Sequence, residues 1–229
     1  VKHWRTPWPN LMIQRQPPLP DHVPRLRVEA GRAKGAEVAV KPSRLDHRRR
    51  RGPTVEPVNG VRCVHVEEHD LPQDLAVGAA RDCLSRWDGD PADIDLVISC
   101  SITKYRDGLS QWLEPPMSVA VASAVGAVNA VPIDVSNACA GTLTGVMVNH
   151  NWVRRGAARH VLVVSGEYIS QLGRNAAGHV HTIASRELAS LTLGDAGGAA
   201  LVERADEGEA GITFTGFTTI SEHSRLCLA

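Results

Sequence analysis

Neither sign of charge predominates in this chain: 25 lysines and arginines stand against 25 aspartates and glutamates. That balance gives no global field to draw in a nucleic acid, an acidic membrane or a polyanionic substrate. Aromatics are scarce, at 4% of 229 residues, so no stacking platform accompanies the one basic run, Arg48 to Arg51. The run lies beside prolines and reads as a solvated loop rather than a phosphate-binding site. No stretch approaches the roughly 20 apolar residues that span a bilayer. The N-terminus is rich in Arg and Pro, unlike the charged-then-apolar pattern of a signal peptide. The expectation is a soluble, cytoplasmic protein. Cysteine pairs are also lacking: Cys63, Cys83, Cys100, Cys139 and Cys227 are odd in number and widely spaced, without the C-x-x-C of a zinc or dithiol site. They read as reduced thiols, and no metal is expected. His179 and His181 could share one face of an extended segment at metal-compatible spacing. No third ligand is in view, so an exposed loop pair is the simpler reading. His150 reads as a surface or interface residue.

Residues 1–57 carry nine prolines and no sustained helical period, and are read as an irregular leader. Val28 to Val40 gives only a weak strand signal. The pattern changes at Asp70: Leu71, Leu75, Ala76, Ala79, Ala80, Leu84 and Trp87 recur at helical spacing, with Asp70 as cap and Pro72 in the first turn. Ile94 to Ser101 is short, apolar and β-branched, as in a strand buried on both faces. A helix over Met117 to Val125 stopped by Gly126, a strand over Val131 to Val135, a helix-length segment over 139–155 and a strand over His160 to Ser165 follow. Such alternation predicts an α/β domain with a largely parallel sheet. A hairpin-like pair at Leu191 to Leu193 and Gly198 to Val202, and one more strand within 211–219, complete the expectation.

Ile133-Asp134-Val135-Ser136-Asn137-Ala138-Cys139-Ala140-Gly141 places a thiol after a buried strand and a small polar turn, at the first position of a helix. Unpaired amides and the positive helix end stabilise a thiolate there, and the cysteine amide points where an oxyanion would form. Read alone, the segment is equally a tightly packed core turn. Glu114 lies 25 residues earlier in Trp112-Leu113-Glu114-Pro115-Pro116, where Pro115 biases it toward extended backbone. Asp107, at the preceding turn, is a weaker candidate. Leu193-Gly194-Asp195-Ala196-Gly197-Gly198 is glycine-rich, but such a turn alone is weak evidence for phosphate binding. Its glycines are expected to permit close backbone approach and Asp195 to cap local amides.

Asp134 to Gly141 resembles the nucleophile segment of β-ketoacyl-ACP synthase III and related thiolase-superfamily enzymes. Pro91-Ala92-Asp93-Ile94-Asp95-Leu96-Val97-Ile98 is similar to the family's strand ahead of the active site, and Leu193 to Ala200 resembles its Phe-Gly-Asp-Gly-Ala-Gly-Ala segment. Order and spacing agree from about Gly60 onward. The resemblance implies that residues 58–229 form the N-terminal half of a thiolase fold, α/β with αβα layers. It implies an acyltransferase in which Cys139 accepts an acyl group from acyl-CoA or an acyl carrier protein and passes it on by Claisen condensation or acyl transfer, with no resident cofactor. It also implies dimerisation through this half. Glu-Pro segments like that of Glu114 occur in branches that condense two acyl chains, where the loop reaches across a dimer interface; otherwise Glu114 is a solvated loop acid. The family's catalytic His and Asn come from a second α/β copy, and no His-Gln-x-Asn-like segment occurs in this sequence. The implied function therefore needs a C-terminal half. The competing reading is a non-catalytic structural partner in a thiolase-fold assembly. Arg62 lies where the family pattern is only loosely matched, and no coenzyme A contact is assigned to it.

Overall fold

A computed structural model describes residues 26–32, 37–39, 63–65, 71–106, 110–182, 185–205, 211–212 and 215–222. The expectations on Arg48 to Arg51, Arg62, Asp70, Asp107 and Cys227 lie outside these residues, as does most of the leader. The elements in chain order are β1 (Leu26–Arg32), β2 (Glu37–Ala39), β3 (Cys63–His65), α1 (Pro72–Leu84), β4 (Leu96–Ser99), α2 (Met117–Val125), β5 (Val131–Asp134), α3 (Gly141–Arg154), β6 (His160–Glu167), α4 (Ser170–Ala176) and β7 (Ala196–Arg204). The weak strand signal at Val28 to Val40 is thus resolved into parts of β1 and β2.

Helix α1 starts at a proline, whose missing N–H costs nothing in a first turn. The extended residue before it is Leu71, whose amide donates to the Asp74 carboxylate at 3.1 Å. Helix α2 covers the predicted span and stops at Gly126, which adopts φ 84°, a left-handed cap that a side chain disfavours. Strand β4 is buried along its length because both faces are covered. Its alternate residues face opposite layers: Val97 packs with Leu162, Val164 and Leu201 under α1 and α2, while Leu96 and Ile98 pack with Val161, Val163, Val202 and Val153 of α3. Each such side chain contributes about 1.5–3 kcal/mol on burial.

The main sheet has the order β1-β7-β6-β4-β5. Strands β6, β4 and β5 are parallel, whereas β7 runs antiparallel to both β6 and β1. Four of the five strands therefore share one direction, and the αβα layering expected from the sequence is present. Two late elements differ from expectation. Leu191 and Thr192 end a 3-10 helix (Arg186–Thr192), so no hairpin forms there, and β7 finds its partners across the sheet instead. Within 211–219 Ile212 alone occupies a bridge position among the described residues. Among the described residues no further strand is formed there, and residues 213 and 214 lie outside them. Among the described residues no helix is long and apolar enough to cross a membrane.

Candidate active site

Parallel strand β5 delivers the segment 134–141, which carries Cys139, to the carboxyl end of the sheet, where α/β folds place their sites. The Val135 amide donates to Ser99 O at 2.8 Å, continuing the β4–β5 register one residue past the strand. The chain then turns sharply. Ala138 adopts φ 42°, left-handed backbone that is uncommon for a residue with a Cβ and recurs at functional sites. Residues Ala138–Ala140 form a 3-10 turn and α3 begins at Gly141. Cys139 thus lies in the turn leading into the helix rather than at the helix's first position, because the left-handed Ala138 tightens the entry. The turn is tied by Asn137 Nδ2, which donates to Thr144 Oγ1 at 2.8 Å, and by that hydroxyl, which donates to Ala140 O at 2.9 Å. Among the described residues no backbone acceptor is bonded to the Cys139 amide. The thiol is exposed, whereas Cys83 and Cys100 are buried. Burial pushes the Cys100 thiol up to about 11, against a smaller opposing effect of its hydrogen bond with the Gly145 backbone.

Glu114 is also exposed, on an excursion between β4 and α2. This excursion is a short hairpin: Trp112 N donates to Lys104 O at 2.6 Å, Tyr105 bridges Gln111, and Arg106 lies 4.1 Å from the centre of the Trp112 ring. Trp112 Nε1 donates to Pro115 O at 3.1 Å, folding the indole back over the Glu-Pro segment. Among the described residues the Glu114 carboxylate makes no hydrogen bond or ion pair, and none joins it to Cys139 within the chain. Lys104, Tyr105, Arg106, Trp112, Pro115 and Met117 are among the residues lining a small open cleft beside the hairpin.

Three carboxylates that the sequence reading left without a role, or gave only a local one, hold this end of the sheet. Asp134 accepts from Lys104 Nζ at 2.7 Å and from the amides of Met117 and Ser118 at 3.2 and 2.9 Å. Burial would raise its carboxyl, but Lys104 and Ser118 together hold it below the usual range. Glu167 accepts from the amides of Ile102 and Thr103 at 2.6 and 2.9 Å and from Thr103 Oγ1 at 2.7 Å. Asp195 accepts from the amides of Ile169 and Ser170 and from Ser170 Oγ, so it caps the start of α4 from 26 and 25 residues away rather than the local amides expected of it. The close approach expected of the adjacent glycines is not seen at Gly198, where a Cβ would meet nothing within 4 Å. Strand ends carrying an acid just before a turn, as Asp134 and Glu167 do, were the available signal for the first two.

His150 departs from expectation. It is buried, with Nδ1 2.9 Å from Thr215 Oγ1, and burial lowers its basicity, with a smaller contribution from Arg154. His179 is exposed at the end of α4, with Nδ1 2.8 Å from Asn175 O, and His181 is exposed two residues on. Among the described residues no cluster of three or more His, Cys, Asp or Glu side chains is placed to hold a metal.

Known proteins resemble this chain over the same stretch. The family model for 3-oxoacyl-(acyl-carrier-protein) synthase III matches residues 133–221, the stretch that includes the Cys139 turn and the Asp195 cap. A β-ketoacyl-(acyl-carrier-protein) synthase III of Streptomyces lividans is 36% identical over 153 residues, covering 66% of this chain and 41% of that protein. One from Oceanobacillus iheyensis is 31% identical, covering 67% of this chain and 44% of the relative. The chain thus spans less than half the length of these relatives. Among solved structures, the priming β-ketosynthase of the R1128 polyketide pathway superposes with a TM-score of 0.60 at 31% identity, covering 80% of this chain and 51% of that one. Cerulenin-bound OleA of Xanthomonas campestris shares the fold at a TM-score of 0.63 and 23% identity, over 80% of this chain and 59% of its own. The chain is β-ketoacyl-ACP synthase III-like, built on a thiolase-type α/β fold.

Proposed function

We propose that this chain is the nucleophile-bearing part of a Claisen-condensing acyltransferase. The observation that carries the reading is the exposed thiol of Cys139 in a left-handed turn at the entrance of α3, at the carboxyl end of a parallel sheet. The Cys139 thiolate attacks the carbonyl carbon of an acyl thioester on coenzyme A or an acyl carrier protein. A new carbon–sulfur bond forms, the oxyanion of the tetrahedral intermediate is met by the Cys139 amide, and the carrier thiolate leaves with its electron pair and takes up a proton. The acyl group then passes to the carbanion of a second, carrier-bound acyl chain, and the enzyme thiolate is restored. Generating that carbanion calls for a general base and further oxyanion donors, roles that the family resemblance gives to a His and an Asn of a C-terminal half. Glu114 is the carboxylate this chain would supply, reaching a site completed by a second subunit.

The test is acyl mass on Cys139. Intact-protein mass spectrometry after incubation with a panel of acyl-coenzyme A donors, with and without a thiolase-like C-terminal half, is expected to show one acyl adduct, mapped to the Cys139 peptide. No adduct from any donor in either arrangement defeats the nucleophile assignment. A second reading, a non-catalytic partner, is motivated by the absence of a His-Gln-x-Asn-like segment from this sequence. It gains support if Cys139 reacts with a small alkylating agent no faster than buried Cys83 and Cys100.

A further inference from the structure

One carboxylate holds both ends of the Glu114 excursion. The excursion leaves the sheet after β4, and Lys104 is the first residue of its hairpin, bonded through its carbonyl to the Trp112 amide. It returns at Met117, where α2 begins behind Pro116, a residue with no side chain able to cap a helix. Asp134 of β5 meets both ends: Oδ2 accepts from Lys104 Nζ at 2.7 Å and from the Met117 amide at 3.2 Å, and Oδ1 accepts from the Ser118 amide at 2.9 Å. The missing helix cap is therefore supplied from a neighbouring strand, and a carboxylate at a helix N-terminus also meets the positive end of the dipole. The Lys104 and Asp134 side chains are only 17% and 16% exposed, so the pair is less weakened by water than a surface ion pair.

Asp134 is also the last residue of the strand that delivers Cys139. Its neighbour Val135 is fixed by Ser99 O, and Ile102 and Thr103, just before Lys104, are fixed by Glu167. The segment from Asp134 to Cys139 and the excursion bearing Glu114 are thus joined through a single side chain. We infer that Lys104 and Asp134 form a positioning pair, which sets the Glu114 hairpin and the Cys139 turn in one fixed relation. Neither residue is assigned a contact with substrate. The inference rests on the reading of Cys139 and Glu114 as the reactive groups, but its test does not use acyl transfer.

The measurements are the rate of Cys139 alkylation by iodoacetamide, followed by mass spectrometry, and hydrogen exchange at the Trp112 and Ser118 amides, both on the full chain. Lys104→Met keeps the aliphatic stem and removes the cation. It is expected to change the Cys139 alkylation rate on the order of tenfold, the size of coupling through a shared backbone shift, and to speed exchange at both amides. Lys104→Arg, which keeps a cation with hydrogen-bond donors, is expected to restore both values to within about threefold of the parent, allowing for the different reach of a guanidinium. Arg86→Met, which breaks an exposed i,i+4 pair with Asp82, is the control and should leave both unchanged. Should Lys104→Met lose its far-UV signal, the double variant Lys104→Met, Asp134→Asn removes both charges, leaves no buried ion unpaired, and carries the same comparison. Alkylation within twofold of the parent in the folded variant overturns the inference, even if exchange at the hairpin rises. So does failure of Lys104→Arg to restore the rate. A parent that alkylates at Cys139 yet gains no acyl mass would sink the acyltransferase reading alone.

Discussion

At the residue scale, three cysteines of the same chain illustrate how environment sorts thiols. Cys83, near the end of α1, is fully buried, and Cys100 is buried against α3 with its thiol pushed up to about 11. Cys139 is exposed. Because the thiolate is the reacting form and must be reached by the reagent, native-state alkylation at pH 8 is expected to label Cys139 at least tenfold faster than either buried thiol. Peptide mapping checks the order, and comparable rates at all three would show that the turn does not present the sulfur. His150 gives a second, pH-dependent prediction. Burial holds its folded pKa below the ordinary 6.5, so in the window between the two values the unfolded chain binds a proton that the folded chain does not. Stability rises with pH through that window and is lost as pH falls below about 6.5. Asp134, whose carboxyl is also held low, acts in the same direction but only below its ordinary value of 3.8. Urea unfolding of the parent and of His150→Gln at pH 7.5 and 5.5 separates the two: the midpoint should fall less in the variant. Equal falls would mean that His150 does not carry the effect.

At the element scale, much of the layout could be read from periodicity. The α2 span, the Gly126 cap and the apolar run of β4 all follow from local rules, because each is specified by residues within one turn or strand. What could not be read depends on partners distant in sequence. The edge position of β1, nearly 170 residues before its partner β7, has no local signature, and Leu191 to Leu193 looked strand-like only because apolar residues there serve a 3-10 turn. The Asp134 link to Lys104 and to the start of α2 was hidden for the same reason, since its partners lie 30, 17 and 16 residues away. Gly145 shows how closely α3 meets the sheet. A Cβ there would come within 2.6 Å of Cys100 Sγ and 2.8 Å of Val163 Cγ1, neither at the end of a long flexible side chain. Gly145→Ala is therefore expected to lift α3 from the sheet and cost about 1–3 kcal/mol by overpacking, in spite of the better helix propensity of alanine. Gly198→Ala, where the added Cβ meets nothing within 4 Å, should stay within about 0.5 kcal/mol. Denaturant titration of both variants makes the comparison, and equal losses would refute the packing argument.

At the scale of the whole molecule, apolar side chains left in solvent bear on how the protein works. Leu143, in the first turn of α3, is 69% exposed, and Leu113, beside Glu114, is 71% exposed. Val128 and Val131, on the approach to and start of edge strand β5, are 77% and 48% exposed. Single exposed leucines need no explanation, but an edge strand and both candidate reactive segments bearing apolar side chains together suit association. The layered architecture argues the same way, because α3 is buried against the sheet on one side while Thr142 and Leu143 face water on the other. Association with a second copy or a thiolase-like C-terminal half would cover these side chains and bring further groups toward Cys139. Sedimentation velocity at micromolar concentration is therefore expected to show a dimer or a complex with such a half, and Leu143→Asp is expected to weaken it by about tenfold or more, since a carboxylate would be desolvated without a partner. Because Leu143 is exposed in the chain alone, that substitution should leave the unfolding midpoint of the dissociated protein nearly unchanged. A well-folded monomer that binds no apolar dye and shows no affinity for a C-terminal half would defeat the argument, and with it the view that Glu114 acts in a site shared between subunits.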